Sequence, residues 1–126
     1  DEDMNADTMV ALLSVVGFEV DTVKNGKLAV INYIAKKPNY YDVIFMDLHM
    51  PVMDGRDAAK CIRISGKDDA KLVPIIGLAA NIYTEDEKKT IASGMNTHMT
   101  KPIDVEVMYK TITKLIIERR EKEDKE

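Results

Sequence analysis

The stretch DVIFMDLHMPVMDG, Asp42 to Gly55, decides the fold. It opens with the short apolar run at 42–46, rich in Val, Ile and Phe. A run this short and this continuous suits a strand covered on both faces, as in a parallel sheet. The run stops on a carboxylate, Asp47, and passes into a loop carrying His49, Pro51, Asp54 and Gly55. A buried strand that ends on a charge puts that charge at the edge of a sheet, where parallel α/β folds bind ligands.

Working outward, three more strands are predicted. FEVDTV (18–23) alternates and is rich in β-formers, VPIIGLAA (73–80) is a second buried run, and THMTK (97–101) is short. Pro74 sits near the start of its run, where a missing donor is tolerated. Helices are predicted between them. Residues 5–16 place Met9, Leu12, Leu13 and Val16 on one face, with Gly17 as the stop. After Asn25-Gly26 a helix carries Leu28, Ile31, Ile34 and Ala35 as its apolar stripe. Residues 56–65 turn Ala58, Ala59 and Ile62 inward, with Asp54 suited to cap the helix start. Thr84 and Glu87 form a capping box for a fourth helix that Gly94 ends. A last helix, about 104–120, carries Val105, Met108, Ile112, Leu115 and Ile116, and the charged residues 121–126 follow as a tail or linker. Alternating strands and helices predict a doubly wound α/β domain with helices on both faces, spanning 1–120. The pattern begins on a helix, so the strand expected before it is missing.

Composition narrows the function. The 126 residues suit one domain, and 45% hydrophobic with 32% charged residues is a globular composition. A net charge of −4 without a basic cluster argues against nucleic acid. No apolar run approaches the roughly 20 residues of a membrane span. The acidic opening DEDMN is unlike a secretory leader. Cys61 is the single cysteine, which excludes an intramolecular disulfide and suits a reducing, cytoplasmic setting.

The carboxyl ends of the predicted strands bring chemistry together. Asp47, the 79–81 segment and Lys101 fall on one edge, beside the acidic cluster Asp1, Glu2 and Asp3. Clustered carboxylates need a cation to neutralise them, and Mg²⁺ takes one or two carboxylates, waters and phosphate oxygens. With a lysine beside it, this is equipment for phosphoryl transfer, with Asp47 as the nucleophile that forms an acyl phosphate.

These residues resemble the receiver domains of two-component response regulators. FMDLHMPVMDG, GLAAN, SGMNTHMTKP and DEDMN occur in the family's order, and Lys101-Pro102 follows Gly55 by 46 positions. The resemblance covers nearly the whole chain and leans toward the receivers of hybrid histidine kinases. It implies a flavodoxin-like sheet of order 2-1-3-4-5 and a phosphorelay role, with a histidine kinase or phosphotransfer protein as donor. It implies Asp47 as phosphoacceptor and Asp1, Asp47 and the backbone carbonyl of His49 as Mg²⁺ ligands. Lys101 would contact the phosphoryl group, and the Lys101–Pro102 bond is expected to be cis. A homodimer through the fourth helix, last strand and last helix would fit the family.

The chain departs from the family in three places. The first strand and the first acidic residue are missing; we expect them upstream of Asp1 in a longer chain, with a strand supplied by another chain or an abnormally closed sheet as the alternatives. Ala79 stands where the family carries a Thr or Ser hydroxyl, and His98 where it carries an aromatic switch. These keep open an alternative, a pseudo-receiver that binds partners without a phosphoryl switch. An aspartate-nucleophile phosphatase is disfavoured, because His49 stands where that chemistry needs a second Asp.

Overall fold

A computed structural model describes residues 6–48, 52–79, 87–100 and 103–125. Along the chain run α1 (Ala6–Val15), α2 (Gly26–Ala35), β1 (Ile44–Asp47), α3 (Gly55–Arg63), β2 (Ile75–Ala79), α4 (Glu87–Ala92), β3 (Thr97–Thr100) and α5 (Val105–Lys125). The strands form one parallel sheet in the order β1-β2-β3, in register Ile44 to Ile75 and Ile76 to Thr97. The fold is flavodoxin-like, and these three neighbours occupy the last three places of the order 2-1-3-4-5.

Alternate side chains along the strands feed two cores. Ile44, Met46, Ile75 and Ala79 pack with Tyr33 of α2 and with Ala58, Ala59 and Ile62 of α3. Phe45, Ile76, Leu78 and Met99 pack on the opposite face with Met9 and Leu13 of α1 and Met108, Ile112 and Leu115 of α5. The stripe predicted for α5 is therefore its buried face, and Tyr109 Oη also donates to the Leu12 carbonyl at 2.7 Å. α1 ends in a Schellman motif at Gly17, where the N–H groups of Gly17 and Phe18 bond the Ser14 and Leu13 carbonyls. Asp54 caps α3 by accepting from the Asp57 N–H at 2.9 Å, and Asn25 caps α2 in the same way through Leu28.

Two expectations are corrected. Residues 18–23 form no strand. A strand exists only through its ladder partner. In the 2-1-3-4-5 order that partner is the first strand, which is not among the described residues. Phe18 and Val20 still pack half-buried against the α1–α5 core, so the segment keeps its hydrophobic role without its pairing. The second correction concerns α2. Leu28, Ile31 and Ile34, predicted to face inward, are 42%, 52% and 50% exposed, whereas Tyr33 is 2% exposed. α2 carries apolar residues on two sides, so periodicity alone could not choose the buried one. The capping box residue Thr84 lies outside the described residues.

Candidate functional site

Asp47 is the last residue of β1 and is half-buried at the carboxyl edge of the sheet. Its neighbour across the ladder is Leu78, and the ladder runs one residue further, with the Leu48 N–H donating to the Leu78 carbonyl at 3.1 Å. Ala79 ends β2 fully buried, opposite Thr100, the last residue of β3. The three strand ends thus align Asp47, Ala79 and Thr100 along one edge, as expected of parallel strands. Asp1, His49 and Lys101 lie outside the described residues, as does the Lys101–Pro102 bond.

The loop after Asp47 is shaped by steric limits. The Gly55 N–H bonds the Leu48 carbonyl at 3.2 Å and closes the loop. A Cβ on Gly55 would stand 2.3 Å from the Asp47 carbonyl oxygen. Glycine is required there for close approach; its backbone angle needs no special freedom. Val52 carries the unusual angle instead, with φ of 70°. Gly26 at the head of α2 is seated equally tightly, since a Cβ there would lie 2.2 Å from the Met53 carbonyl oxygen. The described ends of this loop, at Asp47 and Met53, therefore abut the starts of α3 and α2.

His98 is half-buried, and its Nδ1 lies 3.0 Å from Thr90 Oγ1 on α4. Thr90 is fully buried. His98 thereby ties β3 to α4. Nothing in the sequence marked Thr90 as its partner, because the pair forms only when α4 folds over β3.

Away from the edge, Arg63 bonds the carbonyls of Gly94, Ala70 and Val73 at 2.7–3.0 Å and Asn96 Oδ1 at 3.1 Å. Burial lowers the pKa of its guanidinium from the ordinary value. Asn96 Oδ1 also accepts from the Ile75 N–H at 2.8 Å, so one side chain starts the β2 ladder. At the opposite end of the sheet from Asp47, Tyr33 Oη donates to Asp69 Oδ1 at 2.9 Å, and the Arg119 guanidinium lies 3.6 Å from Asp69 Oδ2. Among the described residues no group of three His, Cys, Asp or Glu side chains could hold a metal ion. No described helix is long and apolar enough to cross a membrane.

A sequence profile described as the response regulator receiver domain matches residues 1–113. The chain belongs to the response regulator receiver domain family. The domain is 33% identical over 114 residues to the hybrid signal transduction histidine kinase I of Dictyostelium discoideum, a match covering 89% of this chain and 7% of that protein. It is also 43% identical over 75 residues to histidine kinase 1 of Arabidopsis thaliana, covering 60% of this chain and 6% of that protein. The receiver thus spans under a tenth of the length of these relatives. Among solved structures it is similar to the receiver domain of a Pseudomonas aeruginosa sensor histidine kinase with a magnesium ion coordinated in its active site cleft. That similarity has a TM-score of 0.75 and 31% identity, covering 87% of this chain and 86% of the other. The receiver domain of Saccharomyces cerevisiae Ssk1, crystallised with the histidine phosphotransfer protein Ypd1, gives a TM-score of 0.70 and 29% identity, covering 85% and 77%. This chain is a receiver domain of two-component signalling, of the kind found in hybrid histidine kinases.

Proposed function

We propose that this receiver domain takes a phosphoryl group on Asp47 from a phosphohistidine of a histidine kinase or phosphotransfer protein. The observation that carries the proposal is the position of Asp47, at the carboxyl end of β1 in a parallel sheet, with its carbonyl packed against Gly55 at the head of α3. A carboxylate oxygen of Asp47 attacks phosphorus. The bond between phosphorus and the donor ring nitrogen breaks, and the electron pair leaves with the nitrogen. The product is an acyl phosphate. Lys101 would meet a phosphoryl oxygen as a point charge.

The donors fit a hard divalent cation. Asp47 offers carboxylate oxygen at the edge, and Asp1 and the His49 carbonyl would complete an oxygen-only set suited to Mg²⁺. Bound Mg²⁺ would neutralise charge that builds on the phosphoryl oxygens. The magnesium in the Pseudomonas receiver and the phosphotransfer partner of the Ssk1 receiver support this reading. On it, the chain is a signalling phosphoacceptor with Mg²⁺-dependent self-phosphorylation and slow self-dephosphorylation, acting in the cytoplasm. A homodimer through α4, β3 and α5 belongs to the same proposal.

One observation favours the alternative, a scaffold without a phosphoryl switch. Ala79 is fully buried beside the edge and has no hydroxyl to offer a phosphoryl oxygen. Intact-mass measurement after incubation with Mg²⁺ and a small phosphodonor decides between them. The phosphoacceptor reading expects one added phosphoryl group, absent in Asp47→Asn. Folded protein that gains none would establish the scaffold.

A further inference from the structure

α2 has two apolar faces, and the fold uses one. Gly26 and Tyr33 are buried, and Ala29 and Val30 pack on the α3 side of the core. At 100° per residue, Leu28, Ile31 and Ile34 form a separate stripe on the outward side. All three are close to half exposed. Contiguous exposed apolar surface with a polar rim marks an interaction site. The charges on this helix and its flanks from 22 to 37 are of one sign; the exposed Asp21 comes just before them and accepts from Tyr41 Oη. Residues 22–37 contain Lys24, Lys27, Lys36 and Lys37 and no carboxylate, in a chain of net charge −4. Lys24 and Lys27 are exposed and enter no ion pair among the described residues. Lys27 lies on the same side of the helix as Ile31 and Ile34.

We propose that the outward face of α2 docks an amphipathic helix of a partner protein whose apolar stripe is flanked by carboxylates. The stripe supplies apolar area at helical spacing, and the lysines select the sign of the partner. A second copy packed α2 against α2 would set lysine against lysine, which disfavours self-pairing. The proposal does not depend on the chemistry of Asp47, and its test reads binding alone.

The test uses two labelled synthetic helical peptides with the same Leu/Ile stripe, one flanked by Glu and one by Lys, titrated with the whole chain by fluorescence anisotropy. The Glu-flanked peptide is expected to bind about ten-fold tighter than the Lys-flanked one, and added salt to shrink that difference. Ile31→Glu should abolish binding of the Glu-flanked peptide. The double variant Lys24→Glu/Lys27→Glu keeps the stripe and should reverse the preference. Circular dichroism checks that each variant is folded. Binding of neither peptide, or equal binding of both, overturns the proposal. So does chain self-association that Ile31→Glu abolishes, which would make a second copy the occupant. Binding to phosphatidylserine vesicles without peptide binding also overturns it, in favour of a lipid surface.

Discussion

Tyr41 holds its hydroxyl between two partners. It donates to Asp21 Oδ2 at 2.7 Å and accepts from Asn32 Nδ2 at 2.5 Å. Burial, then the bond to Asp21, pushes its pKa up to about 12. Burial and the bond to Asp69 raise Tyr33 in the same direction. Both shifts favour the neutral phenol in the folded state. Their contribution to stability is whole below the unfolded value near 10 and is lost as pH rises from there through the folded value. Alkaline titration followed by tyrosinate absorbance should therefore show a late component near pH 12 that Tyr41→Phe removes. Its absence would mean that the Asp21–Tyr41 clamp does not form in solution. The clamp also gives residues 18–23 a fixed course, which ladder pairing does not supply.

At the scale of elements, α2 shows how a helix is placed by its ends. Asn25 caps its start, and the Lys67 ammonium takes the Tyr33 and Lys36 carbonyls at 2.7 and 2.5 Å at its finish. Between them Gly26 abuts the loop under Asp47. Alanine is the better helix former by about 1 kcal/mol. In Gly26→Ala the new Cβ would meet backbone that cannot rotate away, 2.2 Å from the Met53 carbonyl oxygen. We expect a net loss of about 1–3 kcal/mol, measured by urea unfolding, in place of the usual gain. An equal or more stable variant would show that the loop moves freely against α2. Sequence periodicity identified α2 and its start after Asn25-Gly26 but selected the wrong face, since nothing local distinguishes Leu28, Ile31 and Ile34 from Val30 and Tyr33.

Across the whole molecule, Arg119 fastens α5 to segments 50 to 80 positions earlier. Its guanidinium donates to the Tyr41 carbonyl at 3.0 Å and to Asn39 Oδ1, and it lies 3.6 Å from Asp69 Oδ2. Asp69 is 2% exposed and Arg119 8%. Removing Arg119 leaves the buried Asp69 charge without its cation, at about 3–5 kcal/mol, whereas Asp69→Ala leaves Arg119 its bond to Glu123 at 3.0 Å. Asp69→Ala also takes the acceptor from Tyr33 Oη. The variant should unfold at clearly lower denaturant, and Arg119→Met/Asp69→Ala together should cost less than the sum of the two singles. Additive losses would show that the two groups act independently. Beyond Arg119, α5 continues as helix to Lys125, through the charged segment read as a tail.

Local sequence was sufficient wherever a signal is short-range. The strands at 42–46, 73–80 and 97–101, the helix opening at Asn25-Gly26, the cap at Asp54, the stop at Gly17 and the buried stripe of α5 all follow from period and chemistry within a few residues. The same signals brought Asp47 and Ala79 to one sheet edge, because parallel strands share the direction of their carboxyl ends. Tertiary structure decided what depends on a neighbour distant in sequence. It withheld a strand from 18–23, turned α2 onto its other face, paired His98 with Thr90, and buried Asp69 beside Arg119. Hydrogen-bond ladders, buried charges and the choice between two apolar faces are settled by partners, and sequence spacing does not name the partner.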